Sequence, residues 1–410
     1  MSDPREPTLK RSIGPVLLTL YGLGTILGAG IYVLVGEVAR ASGSAAPSAF
    51  LMASVLAGVT AFSYAELASR LPKSAGEAAY VGAGFRMPAL ATAVGWAVIA
   101  TGVVSAATMA RGFVGYAQIF AEFSAVGIIV VLVGVFGLLA AWGIRASLVV
   151  AGAVTVLEAA GLLLVCVVAG DSLQSFPQRW PTLLPSLEST SWIGVGSGAF
   201  IAFYAFIGFE DMVNVAEEVR DPRRTLPRAI IAALAISIGL YFLVSTIAVL
   251  SLPLQTLTES AAPLAAIVES RGFPSWVMGL IGMLAVFNGG LVQLIMASRV
   301  LYGLGSQGLA WPVLARIHPK TRTPLVATAL MTAVILAFAL AFSLERLARF
   351  TSFVALIVFV MVNASLWRLK KIESERPVFC VPKVVPVLGV LLCAGMLIYQ
   401  TMEWLALILE

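Results

Sequence analysis

The chain has 410 residues, 60% of them hydrophobic and only 11% charged, with a mean hydropathy of +0.98. A soluble domain is about 45–50% apolar and about 25% charged; these residues cannot supply its polar surface, so lipid is the expected solvent. The net charge of +5 does not point to nucleic acid, because the basic residues sit in short loops between apolar runs.

A transmembrane helix needs about 20 mostly apolar residues. Eleven such runs are predicted, at 13–38, 46–69, 88–116, 124–142, 147–169, 193–216, 227–251, 275–302, 323–342, 348–367 and 384–408. They predict an all-α polytopic membrane protein. Residues 1–12 are a predicted cytoplasmic tail. Lys10 and Arg11 precede an apolar run too long for the core of a secretory signal, which therefore reads as span 1. With the N-terminus inside, 20 of the 26 basic residues fall on inner loops and 6 on outer ones, as the positive-inside rule expects. Trp142, Trp180, Trp192, Trp276, Trp311 and Trp367 lie near span ends, as in an interfacial belt. Three cysteines (Cys166, Cys380 and Cys393) and one histidine (His318) offer no disulfide framework, metal site or catalytic pair. No cofactor and no enzymatic activity are expected, and a Walker-type phosphate loop is missing.

Span 1 carries Gly22, Gly24, Gly28 and Gly30. Each glycine weakens a helix by about 1 kcal/mol against alanine. An unwound stretch here frees N–H groups at the start of the following half-helix, whose positive end suits a carboxylate. Close helix packing explains small residues equally well. Span 6, five helices later, carries Gly208 at a similar depth, beside Tyr204 and Phe206, two aromatics that suit closing over a solute and, each taken alone, ordinary packing at least as well. An offset of five spans inverts the second unit against the first. Units 13–170 and 190–368 are accordingly predicted as two five-helix repeats, with 384–410 as an extra transmembrane helix.

Intramembrane carboxylates are costly and face a cavity or a partner. Glu158 stands alone in span 5, with Val154, Thr155, Gly161 and Leu162 at its helical neighbour positions. It is read as a proton-coupling group, with a structural, hydrogen-bonded carboxyl as the alternative. Glu210 and Asp211 follow the apolar run 199–209 and lie inside predicted span 6, so a cavity or a partner is expected for them too. Solvation at the inner membrane surface is the alternative, more so for Asp211 than for Glu210. Glu66 in span 2 is expected to pair with Arg70 or with a basic residue of another inner loop, as a gate or structural contact.

Gly28-Ala-Gly-Ile-Tyr32, Tyr64-Ala-Glu-Leu-Ala-Ser-Arg-Leu-Pro-Lys-Ser-Ala-Gly76, Gly95-Trp96, Gly208-Phe-Glu210 running into Ala216-Glu-Glu-Val-Arg-Asp-Pro-Arg-Arg-Thr-Leu-Pro227, Ala262-Pro-Leu264, Ala297-Ser-Arg-Val-Leu-Tyr302 and Thr323-Pro324 follow one another along the chain. As an ordered set they resemble the amino acid–polyamine–organocation transporter family, in particular its basic and neutral amino acid permeases. The resemblance implies a five-plus-five inverted-repeat fold of the leucine-transporter type. It implies that a substrate carboxylate meets the span 1 backbone at Ala29 and Gly30, with Gly28 beside them in the substrate site. The amino group then meets carbonyls near Ile26, Phe206 and Ile207, beside Gly208, with Tyr204 as the gate. The sequence departs from the family in having eleven predicted spans where twelve are usual. Glu158 stands where some proton-coupled relatives carry lysine, and Ser306-Gln307-Gly308 replaces a frequent Arg-Asp-Gly.

The expected function is secondary active, proton-linked transport of amino acids by alternating access, in a prokaryotic cell membrane. Thr101 and Ser105 on span 3 and Asn288 on span 8 are pocket candidates, and Glu158 and Glu210 the proton-coupling ones. The expected partners are the amino acid, protons and the lipid bilayer, and not nucleic acid. An amino acid/polyamine exchanger, or a non-transporting sensor or assembly subunit with the same fold, is the alternative.

Overall fold

The computed structural model describes residues 11, 13–28, 30–72, 76–142, 148–321, 323–372 and 377–409. In chain order its helices are α1 (Pro15–Leu27), α2 (Gly30–Ser42), α3 (Ala46–Arg70), α4 (Gly76–Phe85), α5 (Pro88–Ala117), α6 (Ala125–Trp142), α7 (Leu148–Val168) and α8 (Phe176–Arg179). They continue with α9 (Ser189–Phe203), α10 (Pro222–Ser251), α11 (Leu254–Glu259), α12 (Pro263–Glu269), α13 (Ser275–Ser306), α14 (Leu325–Ala341), α15 (Leu344–Ile372) and α16 (Val384–Leu409). The described residues form no strand; one isolated bridge joins Ile13 to Val219. This is an all-α polytopic membrane protein, as the composition requires.

Among the described residues eight helical stretches are long and apolar enough to cross a bilayer, or nine if the pair Gly152–Val168 and Gly170–Leu183, bent by 56°, is one span. One of the eight, Pro15–Arg70, runs for 56 residues. At 1.5 Å per residue that is about 84 Å of helix, far more than one crossing needs. It is divided by the break after Leu27 and by a 3₁₀ turn at Gly43–Ala45. Leu325–Ala341 is a shorter apolar helix.

Burial separates a lipid-facing rim from a centre. The most apolar 18 residues of Ala125–Trp142 and of Val384–Ala406 are 28% buried, whereas those of Ser189–Glu218 are 83% buried. The stretch containing the second predicted interruption is therefore enclosed by protein, which is where a bilayer protein tolerates non-helical backbone. Around it α9 packs on α2 and α3, α1 on α10 and α7, and α13 on α5. Trp142, Trp180, Trp192, Trp276, Trp311 and Trp367 are all exposed, as a belt at the membrane interface requires.

Several connections predicted as loops are helical. α4 lies between α3 and α5, and α11 and α12 lie between α10 and α13; the segment after α7 winds through 3₁₀ turns and α8. These elements are too short to register as spans. α10 begins at Pro222, five residues before the predicted end of the loop, with Asp221 at φ 46° ahead of it. Proline suits a first helical position because its missing N–H would have no partner there.

Candidate functional site

Both predicted interruptions are present. α1 stops at Leu27 and α2 starts at Gly30; Ala29, between them, lies outside the described residues. α9 passes into a 3₁₀ turn at Tyr204–Phe206, Ile207 is extended (ψ 135°), and Gly208 has φ +130° before 3₁₀ turns resume at Glu210–Glu218. L side chains rarely adopt that φ, so glycine is needed for the turn.

The two breaks touch. A Cβ at Gly208 would overlap the Thr25 carbonyl, and one at Gly30 would overlap Ala205. The Thr25 hydroxyl donates to the Gly208 carbonyl at 2.8 Å. Tyr241 of α10 donates to the carbonyls of Ile26 at 2.7 Å and Ala205 at 3.0 Å, and its ring lies 5.1 Å from that of Phe206. The Gly208 N–H is taken by Glu210, whose Oε2 accepts it at 2.8 Å. α2 starts at Gly30, and that half-helix presents its positive end at the break. Backbone acceptors and donors thus converge at one depth, an arrangement suited to a zwitterion.

The remaining predicted residues gather in two places. Tyr204 is buried, and its hydroxyl lies 3.0 Å from the Ser105 hydroxyl on α5. Thr101, one turn away, donates to Ala97 within its own helix at 2.9 Å. Glu158 on α7 is fully buried, and Asn288 on α13 donates to its Oε1 at 3.4 Å. Among the described residues its Oε2 has no partner. The Tyr32 hydroxyl donates to the Glu158 main-chain carbonyl, and the Tyr116 hydroxyl donates to that of Tyr32 at 2.6 Å, joining α7, α2 and α5. A cavity of about 20 Å³ lies beside this group, lined by Tyr21, Thr25, Thr155, Asn288 and Gln293, enough for about one water.

Of the two readings open for Asp211, the enclosed one holds: it is 5% exposed and accepts from Gln293 Nε2 at 3.2 Å. The turns after Gly208 fold the chain back into the protein, so both acidic side chains stay enclosed.

A family model described as amino acid permease matches residues 13–403. This chain belongs to the amino acid permease family. It is 29% identical to a branched-chain amino acid permease of Bacillus subtilis, over 98% of this chain and 90% of that one. It is 31% identical to human cationic amino acid transporter 4, over 91% of this chain and 62% of that one. It is also 32% identical to an uncharacterized transporter of Mycobacterium bovis, over 95% of this chain and 87% of the other. The permease is an amino acid transporter and not an enzyme.

Glu66 and Arg70 of the permease stand apart from the breaks. Glu66 is fully buried, with Arg70 at 2.8 Å and Lys370 Nζ, from the end of α15, at 2.6 Å. The Val381 N–H donates to Glu66 Oε2 at 2.7 Å, and Lys370 to the Val381 carbonyl at 2.5 Å. One carboxylate therefore holds α3, α15 and the strand of chain leading into α16 together. Near the other end of α15, Arg349 meets Glu345 at 2.9 Å and Glu403 at 3.5 Å, and donates to Ser197 of α9 at 2.6 Å.

Sequence reasoning did not single out Tyr241, Glu77, Gln293 or Lys370. Tyr241 and Gln293 are polar groups within apolar runs, a signal that was legible. Glu77 and Lys370 sit at helix ends, where charged residues are ordinary. Glu77, on α4 between spans, is 4% exposed, and burial pushes its carboxyl up to about 7.

Proposed function

We propose that this permease is a secondary active carrier that moves amino acids across a prokaryotic cytoplasmic membrane by alternating access, driven by a proton gradient. The observation that carries the reading is the meeting of two broken helices, with Thr25 of the first bonded to Gly208 of the second. Main-chain groups at Ile26, Gly28, Ala29 and Gly30 on one side and Phe206, Ile207 and Gly208 on the other bind the amino acid's charged ends. Tyr204, held by Ser105, closes over it, and Thr101 and Asn288 flank the site. The bacterial relative named as a permease supports the choice of membrane.

Glu158 takes the coupling proton. Its unpartnered oxygen gives the proton a place to sit, the adjacent water-sized cavity gives it a path, and Glu210 at the second break relays it. Glu66 and Arg70, with Lys370, latch the cytoplasmic gate. The chain crosses eleven times, with residues 1–12 inside. Residues 13–170 and 190–368 are inverted repeats, each opening on a broken helix, and 384–410 lies outside them.

The test is uptake of a panel of radiolabelled amino acids into proteoliposomes, with and without an inward proton gradient. Saturable uptake of at least one amino acid, concentrated inside only when the gradient is imposed, is the expected result. Concentrative uptake that ignores the gradient removes the proton, and the lack of any uptake removes the carrier reading altogether.

A further inference from the structure

Gln293 of α13 forms a wall of two cavities. One is the space beside Thr155 and Asn288 described above. The other, also of about 20 Å³, lies at the span 6 break, and its walls include Glu77, Thr101, Glu210, Asp211 and Gln293. Each has room for about one water. Gln293 Nε2 donates to Asp211 at 3.2 Å, which fixes the amide's orientation. The amide thereby stands between the two spaces, and turning it away from Asp211 joins them.

Three buried polar atoms along this line have no partner among the described residues: Glu158 Oε2, Gln293 Oε1 and the Tyr80 hydroxyl. Water ordinarily satisfies such atoms. Glu158 is at one end of the line, held by Asn288. Tyr80 is at the other, one turn along α4 from Glu77.

Glu77 closes the line. Its Oε1 accepts from Tyr64 at 3.3 Å, and Tyr64 stands two positions before Glu66 on α3. Glu77 therefore lies toward the same end of the protein as the Glu66, Arg70 and Lys370 latch. Tyr64 faces it from α3, Tyr80 from its own helix, and Glu210 and Asp211 from the turns after Gly208. Thr101 is the polar neighbour on α5, and Arg368 of α15 is turned to the Gly84 carbonyl and the Phe85 ring. Among the described residues no lysine or arginine lies within salt-bridge distance of Glu77, Glu210 or Asp211. Burial without a basic partner raises the Glu77 carboxyl to about 7, where a group both takes up and gives up a proton readily. Carboxyl groups spaced out and joined by water make a proton relay.

We propose that the coupling proton travels this line: from Glu158 through the first water, past Gln293 to Glu210 and Asp211, and through the second water to Glu77, which releases it to the cytoplasm. At each step one O–H bond breaks as another forms, and no electrons change hands. The proposal rests on the proton-linked reading above and gives the proton its way out.

The test is proton-driven uptake into proteoliposomes that hold the cytoplasmic face inward. With the pH difference held constant, native uptake falls as the lumenal pH drops through about 7, because Glu77 then keeps its proton. Glu77→Gln and Asp211→Asn lose accumulation but still exchange labelled for unlabelled amino acid. Glu77→Asp, which still titrates, recovers accumulation. Native uptake that stays flat across neutral lumenal pH overturns the proposal even if a variant fails to fold. Full accumulation in Glu77→Gln also overturns it and leaves the proton-linked carrier standing. Exchange lost together with accumulation in both variants counts against it too, because a proton route carries no amino acid. Native protein that never concentrates an amino acid under a proton gradient refutes both readings.

Discussion

The Tyr241 hydroxyl lies 2.7 Å from the Ile26 carbonyl and 3.0 Å from the Ala205 carbonyl, so one donor from α10 bridges both broken helices. It serves acceptors that the proposed substrate's ammonium group would also seek. A buried acceptor left without a donor costs about 1–3 kcal/mol. Tyr241→Phe should therefore lower the stability of the purified protein by about that amount, read as a lower thermal midpoint. A transported amino acid should then raise the midpoint of the variant by more than that of the native protein. Equal ligand-induced shifts would show that Tyr241 and the solute do not share acceptors.

Glu158 has one oxygen 3.4 Å from Asn288 and the other without a partner. Glutamine at this position keeps the volume and removes the titration. Glu158→Gln should abolish accumulation driven by a proton gradient while retaining exchange of labelled for unlabelled amino acid across the vesicle. Full gradient-driven accumulation in the variant would make Glu158 a structural group.

Both breaks were legible in the sequence because glycine is costly in a helix and these glycines interrupt otherwise uniform apolar runs. Glu158 was legible because it stands alone. The partners were not. Asn288 is 130 positions from Glu158, and Tyr241 is 215 from Ile26; no helical spacing links residues on different spans. Asp211 stayed open between burial and solvation for a related reason: its burial depends on 3₁₀ turns after Gly208, which no apolar pattern marks. The helical connections α4, α11 and α12 escaped because apolar run length, the signal that finds spans, does not mark short helices.

Gly208 combines φ +130° with a missing side chain whose first atom would overlap the Thr25 carbonyl. Gly208→Ala meets both penalties, the backbone one alone being on the order of 1–3 kcal/mol. Transport should be lost together with the yield of monodisperse protein. Gly239, where a Cβ meets nothing within 4 Å, supplies the control, and Gly239→Ala should behave as the native protein. A fully active Gly208→Ala would mean that the break is not needed.

Glu66 holds Arg70 at 2.8 Å and Lys370 at 2.6 Å, with side chains only 7% and 5% exposed around its own 0%. Removing one partner of a buried ion cluster leaves uncompensated charge and costs about 3–5 kcal/mol. Glu66→Gln should be destabilising on that scale. Lys370→Met added to it should cost less than the two single changes summed, because the charge it deletes is already unpaired. Additive losses in a double-mutant cycle would show that Lys370 and Glu66 do not act as one unit.

Glu77 sets the sign of one pH effect. Its carboxyl is raised from the usual 4.5 to about 7, first by burial and then by the neighbouring Asp211. A raised carboxyl means that the folded state favours the neutral form. Its stabilising contribution is complete below the unfolded value and is lost as pH climbs through about 7. Glutamine cannot ionise, so the Glu77→Gln variant lacks this loss. Thermal midpoints measured from pH 5 to pH 8 should therefore diverge, the native protein falling relative to the variant as the solution becomes alkaline. The full effect is bounded at roughly 3 kcal/mol, the free energy of a shift of this size. Parallel curves for the two proteins would mean that the Glu77 carboxyl titrates near its ordinary value, and that the cavity it lines is open to water.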